Sequence, residues 1–188
     1  MKKTLSLLLV LAMVLSSFGF AFAAEDEVNP AEFLNEKGIL KGNASGDLML
    51  DENLKRQDMV VMLSRLLGEE AEAKAFEGET SFTDIVDPFY VPYIAWAEAK
   101  ELTEGVGDNK FGFDRAVKEN EVVAFLLRAL GYTDVEWKDV PAKAAELGLV
   151  AKDADLDKDA KRSVLAELTY KALWMNMKDS DKTLAEEL

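Results

Sequence analysis

Apolar residues recur at three-and-four spacing in three separate stretches of the chain, with polar residues between them. Met59, Met62, Leu63, Leu66 and Leu67 fall on one helical face; Val122, Phe125, Leu126, Ala129 and Leu130 do so in a second stretch, and Leu165, Leu168, Ala172 and Leu173 in a third. That period is the mark of an amphipathic helix with one buried stripe, and the stripes are read as core rather than as a ligand box. Gly68 and Gly131 stand where the first two helices should end, because glycine takes the left-handed conformation of a helix C-terminus without penalty.

Each helix belongs to a longer copy whose residue classes stay in register: Leu50–Gly68, Phe113–Gly131 and Leu156–Trp174. A bulky apolar residue and an aspartate open each copy (Leu50-Asp51, Phe113-Asp114, Leu156-Asp157); a smaller apolar residue (Leu54, Val117, Ala160) and a lysine (Lys55, Lys118, Lys161) follow. A shorter helix precedes each copy and ends in an apolar turn, Gly38-Ile39-Leu40-Lys41-Gly42, Glu101-Leu102-Thr103-Glu104-Gly105 or Gly148-Leu149-Val150. A loop rich in Gly, Asn and Asp joins the two helices and is shortest in the third copy. The pattern predicts an all-α chain of three helix-loop-helix repeats. The second and third carry an aromatic-x-Asp-aliphatic lead-in, Phe82-Thr83-Asp84-Ile85 and Trp137-Lys138-Asp139-Val140, which the first lacks. Repeats are assigned to residues 24–70, 81–133 and 134–175, with 71–80 as a linker or an extra helical turn and 176–188 as a polar tail, a frayed extension of the last helix.

At the N-terminus, Lys2 and Lys3 precede an apolar run from Thr4 to Phe22, and Ala21-Phe22-Ala23 offers the small-x-small pattern of a signal-peptidase site. Residues 1–23 are therefore read as a signal peptide, which places the rest of the chain outside the cell with no membrane span after cleavage. The 188 residues contain neither cysteine nor histidine, so Cys-His nucleophiles, Ser-His-Asp triads, His/Cys zinc sites and disulfides are all excluded. A formal net charge of −14 argues against nucleic acid as a partner. Asp153, Asp155, Asp157 and Asp159 alternate as in a calcium loop, but Val164 replaces the acid that closes such a loop. No catalytic residue, metal or cofactor is expected.

Phe82-Thr83-Asp84, Tyr90-Val91-Pro92-Tyr93-Ile94-Ala95-Trp96-Ala97, Gly107-Asp108-Asn109-Lys110-Phe111 and Asp114 follow one another in an order that resembles the S-layer homology family. The resemblance implies three repeats closed into a pseudo-threefold bundle, whose grooves bind secondary cell-wall polysaccharide, often one bearing a pyruvate ketal. By that likeness the ligand groups are an arginine at the start of the second helix, matched by Arg56 and Arg162 but by Glu119 in the second copy, and the turn aspartate, matched by Asp84 and Asp139. The aromatic of the first helix falls on Phe89 and Tyr90. Arginine can grip a carboxylate with two hydrogen bonds, and a ring can cover a sugar face. The family's threonine before the arginine is lysine three times here, which removes an N-cap hydroxyl and sets a cation against the helix dipole; Lys55, Lys118 and Lys161 therefore join the candidate anion contacts.

The implied protein is a secreted, non-catalytic module at a bacterial cell wall or surface, bound non-covalently to an anionic secondary polysaccharide. Glu119 keeps open a second reading, a structural protein whose degenerate repeats pack against itself or other surface proteins.

Overall fold

The computed structural model describes residues 28–187, so the predicted signal peptide lies outside the described residues. The described chain is all-α: α1 Pro30–Glu36, α2 Arg56–Leu66, α3 Glu70–Lys74, α4 Val91–Ala99, α5 Glu119–Ala129, α6 Val140–Glu146 and α7 Arg162–Leu173, with short 3-10 turns at Trp137–Asp139 and Leu184–Glu186. The three long helices α2, α5 and α7 are those the apolar stripes predicted, and their stripe residues are buried in the core, apart from Leu67, which packs against its edge.

Lys55, Lys118 and Lys161 are the N-cap residues of these helices, and none caps with its side chain, since an ammonium has no lone pair to offer the orphan amides. A ring of hydrogen bonds between copies takes over. Leu54 N–H donates to the Ala160 carbonyl (2.8 Å), Ala160 N–H to that of Val117 (2.8 Å) and Val117 N–H to that of Leu54 (2.9 Å). One step outward, the first helical amides of Arg56, Glu119 and Arg162 donate to the carbonyls of Arg115 (3.1 Å), Lys158 (2.9 Å) and Glu52 (3.0 Å). Leu54, Val117 and Ala160 are buried at the centre, which explains why each copy holds a modest apolar residue there.

The register lysines close a second ring outside the first. Lys55 pairs with Asp114 (2.8 Å), Lys118 with Asp157, and Lys161 with Asp51 (3.5 Å), so each lysine meets the opening aspartate of another copy. These exposed pairs are screened by water and add little stability, but they give the repeated lysine a partner other than a ligand.

The short helices pack on the long helices of neighbouring copies: α4 on α2, α6 on α5, and α1 on α7. The last contact joins the two ends of the described chain without a covalent link. Leu34 is fully buried at that seam, and Phe33 meets Tyr170 edge-on at 5.1 Å. Asn29 fixes the start of α1 by accepting from Ala31 N–H (3.0 Å), with Pro30 supplying the preset φ of a first helical residue.

Gly42 and Gly105 occupy matching places after α1 and α4. A Cβ on Gly42 would run into the carbonyl of Asp47, and one on Gly105 into that of Lys110, so the two loops turn back so tightly that only glycine fits.

Of the two readings of the segment after the first copy, the helical turn holds at its start: α3 runs into it, Ala73 is buried and Glu70 pairs with Arg65 (2.8 Å) and Lys41 (3.2 Å). One sequence expectation needs correction. The tail does not extend the last helix: it turns back, pairs Asn176 with Thr183, and donates from Lys178 N–H to the Leu130 carbonyl (2.8 Å). Leu184, only 1% exposed, is the apolar residue that makes docking more favourable than fraying.

Candidate functional site

Two grooves between copies share one construction. In the first, Arg162 at the start of α7 lies against the Lys41–Gly42 loop, Val61, Met62 and Arg65 of α2, and Phe89 and Tyr90 just ahead of α4, around a cavity of about 240 Å³. In the second, Arg56 at the start of α2 lies against Gly105, against Ala124, Phe125 and Arg128 of α5, and against Trp137 ahead of α6, around about 140 Å³. Position by position, Arg162 matches Arg56, Gly42 matches Gly105, Val61 matches Ala124, Met62 matches Phe125, and Arg65 matches Arg128.

The two arginines are held differently. Arg162 donates from Nε to the Leu48 carbonyl (2.8 Å) and from Nη2 to the Lys41 carbonyl (2.7 Å), and it is buried. Both partners are neutral, so the guanidinium charge is fixed in place but not cancelled. Around it Lys41 and Arg65 share the single carboxylate of Glu70, and the Asp58 carboxylate accepts from the Tyr90 hydroxyl (2.8 Å). Burial, then that hydrogen bond, raises the Tyr90 phenol well above its ordinary range, so it stays a neutral donor.

Arg56 is only 4% exposed and is sandwiched between the rings of Phe111 (5.2 Å) and Phe125 (4.9 Å). It donates from Nη1 to Glu121 (2.9 Å) and from Nη2 to Thr103 Oγ1 (3.2 Å) and the Gly105 carbonyl (3.4 Å), while Nε has no partner among the described residues. Burial pushes its guanidinium down to about 10, against the pull of Glu121 and with Arg115 and Arg128 adding to the fall; it remains charged at neutral pH. Burial works to raise the Glu121 carboxyl, but the bond from Arg115, the amide of Lys118 (2.9 Å) and the Arg56 charge overcome it and hold the group below the usual carboxylate range. The groove lining thus sets Arg56 and Arg128 against Glu121 and Glu104, while Arg115, outside the lining, shares Glu121 with Arg56.

The structure brings Arg162, Phe89 and Tyr90 into one groove and puts Arg56 in the other. Asp84 lines neither of them. Its carboxylate accepts from the amides of Phe111 (2.7 Å), Gly112 (2.9 Å) and Phe113 (3.1 Å), which overcome burial and hold its pKa down, so Asp84 builds the loop beside Arg56. Asp139 is exposed at the N-cap of α6 and makes no side-chain cap bond. Lys55, Lys118 and Lys161 lie in the outer ring with their aspartates and outside both grooves. Of the groove residues, Arg65 and Arg128 went unremarked in the sequence, and Trp137 was noted only as the aromatic of a lead-in. The first two had a signal, since Arg65, Arg128 and Lys171 share one register position near the end of each long helix.

Among the described residues no group of His, Cys, Asp or Glu is arranged to hold a metal ion, and no helix is long and apolar enough to cross a membrane.

The described chain is thus helical, tied together by rings of hydrogen bonds and ion pairs between copies, with two arginine-centred grooves. The family model of the S-layer homology domain matches residues 81–118, from the Phe82 lead-in to the N-cap of α5. The chain is 31% identical to a cell surface protein of Thermoanaerobacter kivui, over 80% of this chain and 21% of that one. It is 27% identical to a surface layer protein of Brevibacillus choshinensis, over 70% and 13%, and 24% identical to a middle cell wall protein of Brevibacillus brevis, over 94% and 18%. The chain spans about a fifth or less of the length of these relatives. Family and relatives together place the protein outside the cell, at the cell surface. They are families and names of surface structural or binding proteins, and none denotes an enzyme.

Proposed function

We propose that the chain anchors non-covalently to an anionic secondary cell-wall polysaccharide, such as one carrying pyruvate ketals, through the Arg162 and Arg56 grooves. The observation that carries this reading is Arg162. A buried guanidinium held by two neutral carbonyls keeps a net charge, and in a chain of net charge −14 that is a local inversion of sign. Burying an unmatched cation costs free energy, and an arriving carboxylate recovers it through charge-assisted bonds. Phe89 offers a half-exposed ring beside the charge, and Trp137 does the same in the second groove, as a sugar face requires. The three-repeat bundle, closed by the hydrogen-bond ring, is part of this proposal because each groove needs side chains from three copies.

Lys55, Lys118, Lys161, Asp84 and Asp139 are assigned to support rather than to ligand contact. The test is co-sedimentation with purified wall sacculi before and after chemical removal of the secondary polymer. Wild type should pellet only with intact walls, and Arg162→Ala should weaken binding roughly tenfold to a hundredfold, the worth of a hydrogen bond to a charged group. Arg56→Ala/Arg162→Ala should abolish it. Equal pelleting with stripped walls would refute the reading and favour protein-protein assembly.

A further inference from the structure

We propose, on the glycan-binding reading above, that the chain carries two anion-accepting grooves and that Glu119 and Glu167 close the third to anions. A third cavity lies on the matching face of α7. Glu167, Tyr170 and Lys171 face Val28, Asn29 and Pro30 at the start of α1, as α5 faces Trp137 and α2 faces Phe89 and Tyr90, with Glu119 outside that lining and near enough to Glu167 to feel its charge.

Glu119 stands in the register of Arg56 and Arg162, and its amide makes the matching ring bond, to the Lys158 carbonyl. The backbone is therefore the same and the side-chain charge is reversed. Glu167 stands in the register of Val61 and Ala124, neutral residues that line the other two grooves. The nearest cation to Glu119 is Lys158 at 3.9 Å, and burial first, then Asp155 and Glu167, push its carboxyl upward.

Asp155 and Glu167 thus add negative charge around Glu119 against Lys158 alone, where each of the other two grooves places a buried arginine at the same register. An incoming carboxylate that gains attraction beside Arg162 meets repulsion of the same order beside Glu119, because only the sign of the fixed charge has changed.

The test is an amide-proton NMR titration of the protein with a methyl hexopyranoside bearing a cyclic pyruvate ketal. Wild type should show saturable shifts at the Gly42 and Gly105 amides and the Trp137 indole N–H, and none at the Asn120 and Lys158 amides. Glu119→Arg/Glu167→Ala, which installs the residues of the second groove, should gain saturable shifts at Lys158 while keeping the other two responses. Saturable movement of Lys158 in wild type would overturn the inference even if the variant did not fold. A folded variant that gains nothing in the third groove would overturn it as well. Silence at every groove in wild type would instead remove the glycan-binding reading, and the two-site count with it.

Discussion

Replacing Glu121 with glutamine should expose how much the second groove depends on one carboxylate. Glu121 receives Arg56 (2.9 Å), Arg115 and the Lys118 amide, and its side chain is 11% exposed. Arg115, with 36% of its side chain exposed, can turn to water when the charge is lost; Arg56, at 4%, cannot. The substitution therefore strands one buried cation, which costs about 3–5 kcal/mol. At roughly 2–4 °C per kcal/mol for a domain of this size, the melting temperature should fall by roughly 6–20 °C at neutral pH. The folded pKa of Glu121 is depressed, so its stabilisation is present above the unfolded glutamate value of about 4.3 and is lost as pH falls through the folded value. Thermal unfolding of both proteins from neutral pH downward should give curves that separate at neutrality and converge in acid. A neutral-pH loss below about 1 kcal/mol, the range of an exposed pair, or a gap that persists in acid, would refute the reasoning.

Glu119→Gln should act in the opposite direction: its folded pKa is raised, so its contribution is full below about 4.3 and lost as pH rises through the folded value. The variant should melt higher than wild type at neutral pH and equal it in acid; a lower melting temperature at neutrality would contradict this. Leu34→Ala, at the buried seam where α1 closes onto α7, should cost about 2–5 kcal/mol in urea unfolding. A loss under about 1 kcal/mol would mean that the seam is not part of the cooperative core. Gly105→Ala forces a Cβ into the Lys110 carbonyl and the Phe82 ring at φ +73°, and should cost about 1–3 kcal/mol. Unchanged stability there would show that the loop relaxes freely.

The long helices, the register of the copies and the glycine turns were legible because each is written locally, as a period or a backbone need that one segment declares. The pairing of each lysine with an aspartate was legible only in part: Lys55 and Asp114 are both in the repeat signature, but nothing in the order of residues says that a lysine reaches into another copy. The closed ring was hidden for the same reason, since Leu54, Val117 and Ala160 read only as an apolar position of varying size. Asp84 was ambiguous. A turn aspartate can serve a ligand or its own loop, and its bonds from the three amides of residues 111–113, which favour the loop, are not written in the order of residues. The docked tail escaped because one leucine, Leu184, carries it amid a polar stretch.

The central claim, that arginine grooves and not the lysine ring receive the wall polymer, is tested most directly by a crystal structure of the protein with an acidic fragment of that polymer. The account predicts the fragment's carboxylate on the Arg162 guanidinium with a sugar face against Phe89. A carboxylate bound at Lys55, Lys118 or Lys161 in place of Asp114, Asp157 or Asp51, with both grooves empty, would contradict it.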